Sequence, residues 1–179
     1  MARKAAPKAA AVLLLLLAAA APPPEPSGLW SGPQHGTTPL TLSGAIVLPS
    51  AKAAKSWLET QLPVVIDVSP APAKPPHMAP GMPWLPSAHQ DIPGSIWLPN
   101  AGQEVLQPNR AAAYLRKVKV RATPDKPIMV YCHANCWGSW NAAKVLVQAG
   151  YHHVAWFPGG IETWSAADYT LQRTRAAAY

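Results

Sequence analysis

The chain holds two cysteines, both within VYCHANCWGSWNAAKVLVQAGY at residues 130–151. Three residues separate Cys132 from Cys136, and Trp137 follows directly. The pair is open to four uses. A tight loop can satisfy the ~4.4–6.8 Å between Cα atoms that a disulfide needs. Closing so short a ring removes little chain entropy, so its use would be reactivity rather than stability. Cys136 would then resolve sulfur or electrons taken up by Cys132. In the second use, Cys132 alone carries sulfur as a persulfide. In the third, Cys132, His133 and Cys136 join His77 or His89 around a metal or haem. The Cys-x2-Cys and Cys-x-x-Cys-His spacings are absent, so no metal site is assigned. In the fourth, the two thiols merely fill space.

The elements that position this pair follow from the pattern around it. The run "VVIDV" (64–68) is apolar, β-branched and closed by Asp67, the profile of a buried parallel strand. "LTLSGAIVLP" (40–49), "SIWLP" (95–99), "DKPIMVYC" (125–132) and "HHVAWFPGG" (152–160) supply further strands and their turns. Between them lie helical patterns. "SAKAAKSWLETQ" begins with Ser50 as N-cap, and "NRAAAYLRKVKV" spans 109–120. "SWNAAKVLVQAG" spans 139–150 and ends on Gly150, and "IETWSAADY" is a short last helix. Strands alternating with helices predict an α/β domain with a central, mainly parallel sheet flanked by helices. Cys132 then ends a strand, and the loop amides and the next helix N-terminus face one small space. Such a position favours negative charge, so Cys132 is expected to have a depressed pKa and to act as the nucleophile.

The remaining chain sets the boundaries. Residues 1–21 carry Arg3, Lys4 and Lys8, then an apolar stretch and a run of alanines. This is read as an export signal, with an apolar core short of the ~20 residues that span a membrane. No membrane span is expected after its removal, and a periplasmic location follows. That compartment lets disulfides persist. Cleavage leaves 12 basic residues against eight acidic ones, a net charge of +4. Six of those cations fall between Arg110 and Lys126, without interleaved aromatics, and are read as a solvated face. No nucleic-acid partner is expected. Residues 22–39 form a Pro/Gly-rich extended leader anchored by Trp30, the domain spans 40–170, and 171–179 is a tail expected to fray. Within the domain, residues 69–94 carry eight prolines and read as a long loop. In it Asp91 caps a turn, and Trp84 either covers the site or fills a gap. His152 and His153 are expected at the surface.

Four motifs in order resemble a rhodanese-like domain over about residues 62–167. They are "VVIDV", "DIPGSIWLP", "PIMVYC" followed by "SWNAAKVLVQAGY", and "VAWFPGGIETW". The resemblance implies the three-layer rhodanese-like fold and a loop cysteine, Cys132, that accepts and passes on sulfane sulfur. The loop departs from the family pattern, because Gly138 stands where an arginine is expected. Without that guanidinium there is no bidentate grip on phosphate, arsenate or thiosulfate. Cys-x3-Cys-Trp, with "SWNAA" and the export signal, resembles the exported CxxxCW-motif proteins associated with pyrroloquinoline quinone (PQQ)-dependent catabolism.

The resemblance implies Cys132 and Cys136 as catalytic residues, with a covalent persulfide or disulfide on Cys132. His133, Ala134, Asn135, Trp137, Gly138 and Ser139 would bind substrate. Asp67 would hold loop backbone from behind, Trp140 would pack into the core, and His133 would either support a thiolate or face solvent. The implied partner is a small sulfur or thiol compound, or a periplasmic PQQ-dependent dehydrogenase or cytochrome system. The alternative function is a non-catalytic module that binds a metal, a redox cofactor or such a dehydrogenase.

Overall fold

Five short apolar strands pair in parallel to form the central sheet of the computed structural model, which describes residues 21–178. The expected export segment, up to Ala20, lies outside the described residues. In chain order the elements are β1 (Ile46–Val47), α1 (Ala51–Gln61), β2 (Val64–Asp67), β3 (His89–Asp91), β4 (Ser95–Trp97) and α2 (Ala101–Glu104). They continue as α3 (Pro108–Lys119), β5 (Ile128–Tyr131), α4 (Trp137–Gln148), β6 (Val154–Phe157), α5 (Gly160–Ala166) and β7 (Gln172–Thr174). The sheet order is β1-β6-β5-β2-β4. This is the expected α/β fold, with a parallel sheet between helical layers. Among the described residues, no helix is long and apolar enough to cross a membrane.

The strands are buried on both faces, which is why they read as continuous apolar runs. Their two-residue period still divides the core in two. Ile128 and Val130 of β5 pack with Tyr114 and Val118 of α3 and with Trp140 and Leu146 of α4. Met129 and Tyr131, one residue out of phase, pack with Ala51 and Ala54 of α1 and Trp164 of α5. Ser50 caps α1 as expected, its Oγ accepting the Ala53 N–H at 3.2 Å. Pro108 opens α3, and Arg116, Lys117 and Lys119 close it, where cations complement the helix dipole. His152 and His153 are exposed, as expected.

Three elements differ from expectation. The helix after the cysteines starts at Trp137, two residues before Ser139, because Cys136 itself is the extended N-cap residue. The four-residue α2 is too short to show periodicity. The loop and tail corrections belong together. Asp91 does not cap a turn but lies in β3, which pairs antiparallel with β7 of the supposedly frayed tail. Ala177 then donates its N–H to the Trp97 carbonyl at 2.9 Å. Backbone groups at a sheet edge need partners, and the tail supplies them without any apolar periodicity. Trp84 is half-buried, and Pro70 marks where the long loop approaches the cysteines.

The leader is extended but is fastened along α4. Asn141 receives the Trp30 N–H on Oδ1 and returns Nδ2–H to the Trp30 carbonyl, both at 2.8 Å. Lys144 donates to the Pro26 carbonyl and lies 3.6 Å from Glu25. Glu25 also accepts the Ser43 N–H and hydroxyl. Burial alone would raise this carboxyl, but Ser43, Lys144 and Thr41 outweigh it and hold the pKa below the ordinary range.

Asp91 is fully buried, and neither carboxylate oxygen has a well-formed hydrogen bond. Burial first, and the nearby Asp67 charge, push its pKa up to about 6, against partial relief from Gln172, His89 and Thr174. An acid raised above its unfolded value contributes stability below that unfolded value, and the contribution is lost as pH rises through about 6. Asp91→Asn is therefore expected to raise Tm by about 2–5 °C at pH 7.5 and to give no gain at pH 4. Paired thermal melts of variant and wild type across that pH range check the sign.

Candidate active site

Cys132 follows β5 directly, and its carbonyl accepts the Ile161 N–H at the start of α5, 3.0 Å away. That approach requires Gly160. Its φ is +55°, and a Cβ there would sit 2.3 Å from the Cys132 carbonyl oxygen. On the other side, Gly102 of α2 abuts the first turn of α4, where a Cβ would lie 1.8 Å from the Gly138 carbonyl oxygen. The leader closes a third side. Trp137 donates its N–H to the Gln34 carbonyl, and Gly36 donates to the Asn135 carbonyl, both at 2.8 Å. Trp30 stacks on Trp137 with centroids 4.2 Å apart, and Trp137 meets Trp140 edge-on at 5.6 Å.

A cavity of about 570 Å³ opens over this loop. His133, Ala134, Asn135 and Cys136 line it, together with Gln34, His35, Pro70, Gln103 and Glu162. Trp137, Gly138 and Ser139, expected among the substrate-binding residues, are not in its wall. They are buried in the first turn of α4, and Ser139 binds the Cys136 carbonyl and the Trp156 indole N–H. Trp84 does not line the cavity. Asp67 is fully buried below the loop, accepting the Ser69 N–H and facing His89 Nε2, both at 2.7 Å. His89 also stacks on Trp97 and is thereby engaged away from the cysteines. Among the described residues, no group of three or more His, Cys, Asp or Glu side chains is placed to hold a metal ion.

Both cysteines are free thiols, and they are hydrogen-bonded to each other. Their surroundings are the reverse of those expected. Cys132 is 0% exposed, whereas Cys136 is 8% exposed and faces the cavity. The Cys132 pKa is raised, first because its thiol donates to Cys136 and then by burial. The Cys136 pKa is lowered to about 7, first by that same hydrogen bond and, against burial, by the Gly138 and Ser139 amides and His133. The physical reason is placement. Cys132 ends the strand, but Cys136 is the N-cap residue of α4, where the Gly138 and Ser139 amides lower its pKa.

Sequence reasoning missed Glu162, Gln34, His35, Pro70 and Gln103. Glu162 Oε1 lies 2.6 Å from His133 Nδ1, and Oε2 accepts the Ala134 N–H at 2.8 Å. Burial alone would raise the carboxyl, but these two partners outweigh it and hold the pKa low. The signal was present only as the acidic residue in the first turn of α5 within "GGIETW". Gln34 and Gln103 reach the loop from segments with no motif of their own.

Residues 50–167 match the family described as rhodanese-like domain. The chain belongs to this family. Solved structures of similar fold include the rhodanese-like domain of the Alr3790 protein from Anabaena sp., 19% identical over 77% of this chain and 89% of that one, with a TM-score of 0.49. Thiosulfate sulfurtransferase from Pseudomonas aeruginosa is 17% identical over 74% of this chain and 21% of its own, with a TM-score of 0.49. The polysulfide-sulfur transferase homodimer from Wolinella succinogenes is 20% identical over 73% and 80%, with a TM-score of 0.44. No curated protein matches the chain.

In this rhodanese-like domain, Cys136 is expected to be the faster thiol. Its alkylation by iodoacetamide should follow a titration with a midpoint at about 7. Cys132→Ala removes the donor and should move that midpoint towards the ordinary thiol value of about 8.5. Peptide-resolved mass spectrometry over pH measures both; faster labelling of Cys132 would contradict the assignment.

Proposed function

We propose that this protein performs sulfur chemistry on the Cys132–Cys136 pair, by transfer of sulfane sulfur or by thiol–disulfide exchange. The observation that carries this reading is the shared hydrogen bond between the two thiols, with Cys136 open to the cavity. A thiolate beside a second, protonated thiol is the arrangement such exchange requires.

In disulfide exchange, the Cys136 thiolate attacks one sulfur of R–S–S–R′. A Cys136–S–S–R bond forms, the substrate S–S bond breaks, and R′–S⁻ leaves with the electron pair. Cys132 then gives its proton to a departing thiolate and attacks the Cys136 sulfur, releasing R–S⁻. Two electrons pass from the dithiol to the substrate, and two equivalents of an external thiol regenerate the protein, leaving as their own disulfide. With a persulfide R–S–SH, Cys136 takes the outer sulfur and R–S⁻ leaves. An acceptor thiolate then removes that sulfur by the reverse step.

The setting is part of the same proposal. The export pattern of residues 1–21 supports a periplasmic site of action, where disulfides persist. The resemblance of Cys-x3-Cys-Trp to the CxxxCW-motif proteins supports a role in PQQ-dependent alcohol oxidation. The partner is then a small sulfur or thiol compound, or a PQQ-dependent dehydrogenase or cytochrome system.

The test is mass spectrometry of the purified full chain before and after a phosphine reductant. The expected result is a mass one sulfur atom higher, or two hydrogens lower, that returns to the dithiol on reduction and maps to the peptide holding both cysteines. A dithiol mass that stays unchanged after exposure to polysulfide and to glutathione disulfide would sink the proposal.

A further inference from the structure

We infer that Glu162 sets the substrate class of the cavity: sulfur compounds that are neutral or cationic, with oxyanions disfavoured. This rests on the sulfur-chemistry reading above and narrows it.

The argument begins with the loop amides. A loop at a helix N-terminus holds an anion through free N–H groups. Here the Ala134 N–H is already bound by Glu162 Oε2 at 2.8 Å. The Gly138 and Ser139 N–H groups are directed at the Cys136 sulfur. The Ala134, Gly138 and Ser139 amides are thus turned to the protein's own acceptors.

The wall adds nothing to replace them. Its lining contains no lysine or arginine, and Gly138 stands where the family's arginine is expected. The Glu162 side chain is 52% exposed, so its charge faces the opening. Cys136 supplies a second negative charge when it ionises. The other titratable groups of the wall are His133 and His35. His133 offsets the carboxylate only when protonated.

Carboxylate and thiolate together complement a positive ligand and repel a negative one.

Three small disulfides test this on the full chain: dianionic dithiobis(nitrobenzoate), neutral dithiodipyridine and dicationic cystamine. Each second-order rate constant at pH 8 is divided by that of the same probe with β-mercaptoethanol. The normalised rates for the neutral and cationic probes should exceed that for the anionic probe by about tenfold. Glu162→Gln should raise the ratio of the anionic to the neutral rate by about tenfold. Should that variant fail to fold, the wild type in rising NaCl decides, because a Coulombic preference shrinks with salt. An anionic probe that reacts as fast as the neutral one overturns the charge selection alone. So does a preference untouched by both Glu162→Gln and salt. No reaction with any probe overturns the sulfur-chemistry reading, and this inference with it.

Discussion

The close approach of three backbones to the loop from Cys132 to Trp137 is the constraint on which the site depends. α5 comes in through Gly160, α2 through Gly102, and the leader through Gln34 and Gly36. At the first two positions a single added Cβ would overlap a carbonyl oxygen. Backbones packed this closely satisfy one another's polar groups, and the loop has little freedom to breathe. The cavity is therefore a rigid feature, framed by elements distant in the chain.

That framing sets the two sulfurs in different surroundings. A thiol at the end of a buried strand and a thiol at a helix N-cap see different fields. The first is surrounded by apolar groups and keeps its proton; the second is ringed by amides and loses it. The shared hydrogen bond deepens the difference, since each proton kept by Cys132 stabilises charge on Cys136. Glu162 belongs to the same electrostatic unit. It positions His133, occupies the Ala134 amide and places negative charge at the rim. The leader acts at the same place, because Trp30 and Gln34 lie over the helix turn from which an arginine would otherwise project.

A distinct polar network lies behind the sheet. Asp67, His89 and Asp91 sit among Tyr131, Ser95 and Trp97, where the carboxylates are buried at different costs. Asp67 has two strong partners, and Asp91 has none of comparable quality. The β3–β7 pair that contains Asp91 ties the C-terminal segment to the long loop. The loop is thus held at both ends, by Ser69 on Asp67 and by β3 on β7, while its proline-rich middle forms no regular element.

The sequence by itself determined the sheet, the flanking helices and the position of Cys132, because buried strands and amphipathic helices write their periods into neighbouring residues. VVI, up to Asp67, and IMVY are apolar without a break, since both faces of those strands are covered. Ser50 announced its helix by local capping chemistry. Only the tertiary structure decided which cysteine faces the cavity, since a two-residue difference in where α4 begins makes Cys136 its N-cap. Only it brought Glu162, Gln34 and Gln103 to the same opening, and only it paired the tail with Asp91's strand. These contacts join residues tens of positions apart. They leave no period or spacing in the chain, because nothing local requires them.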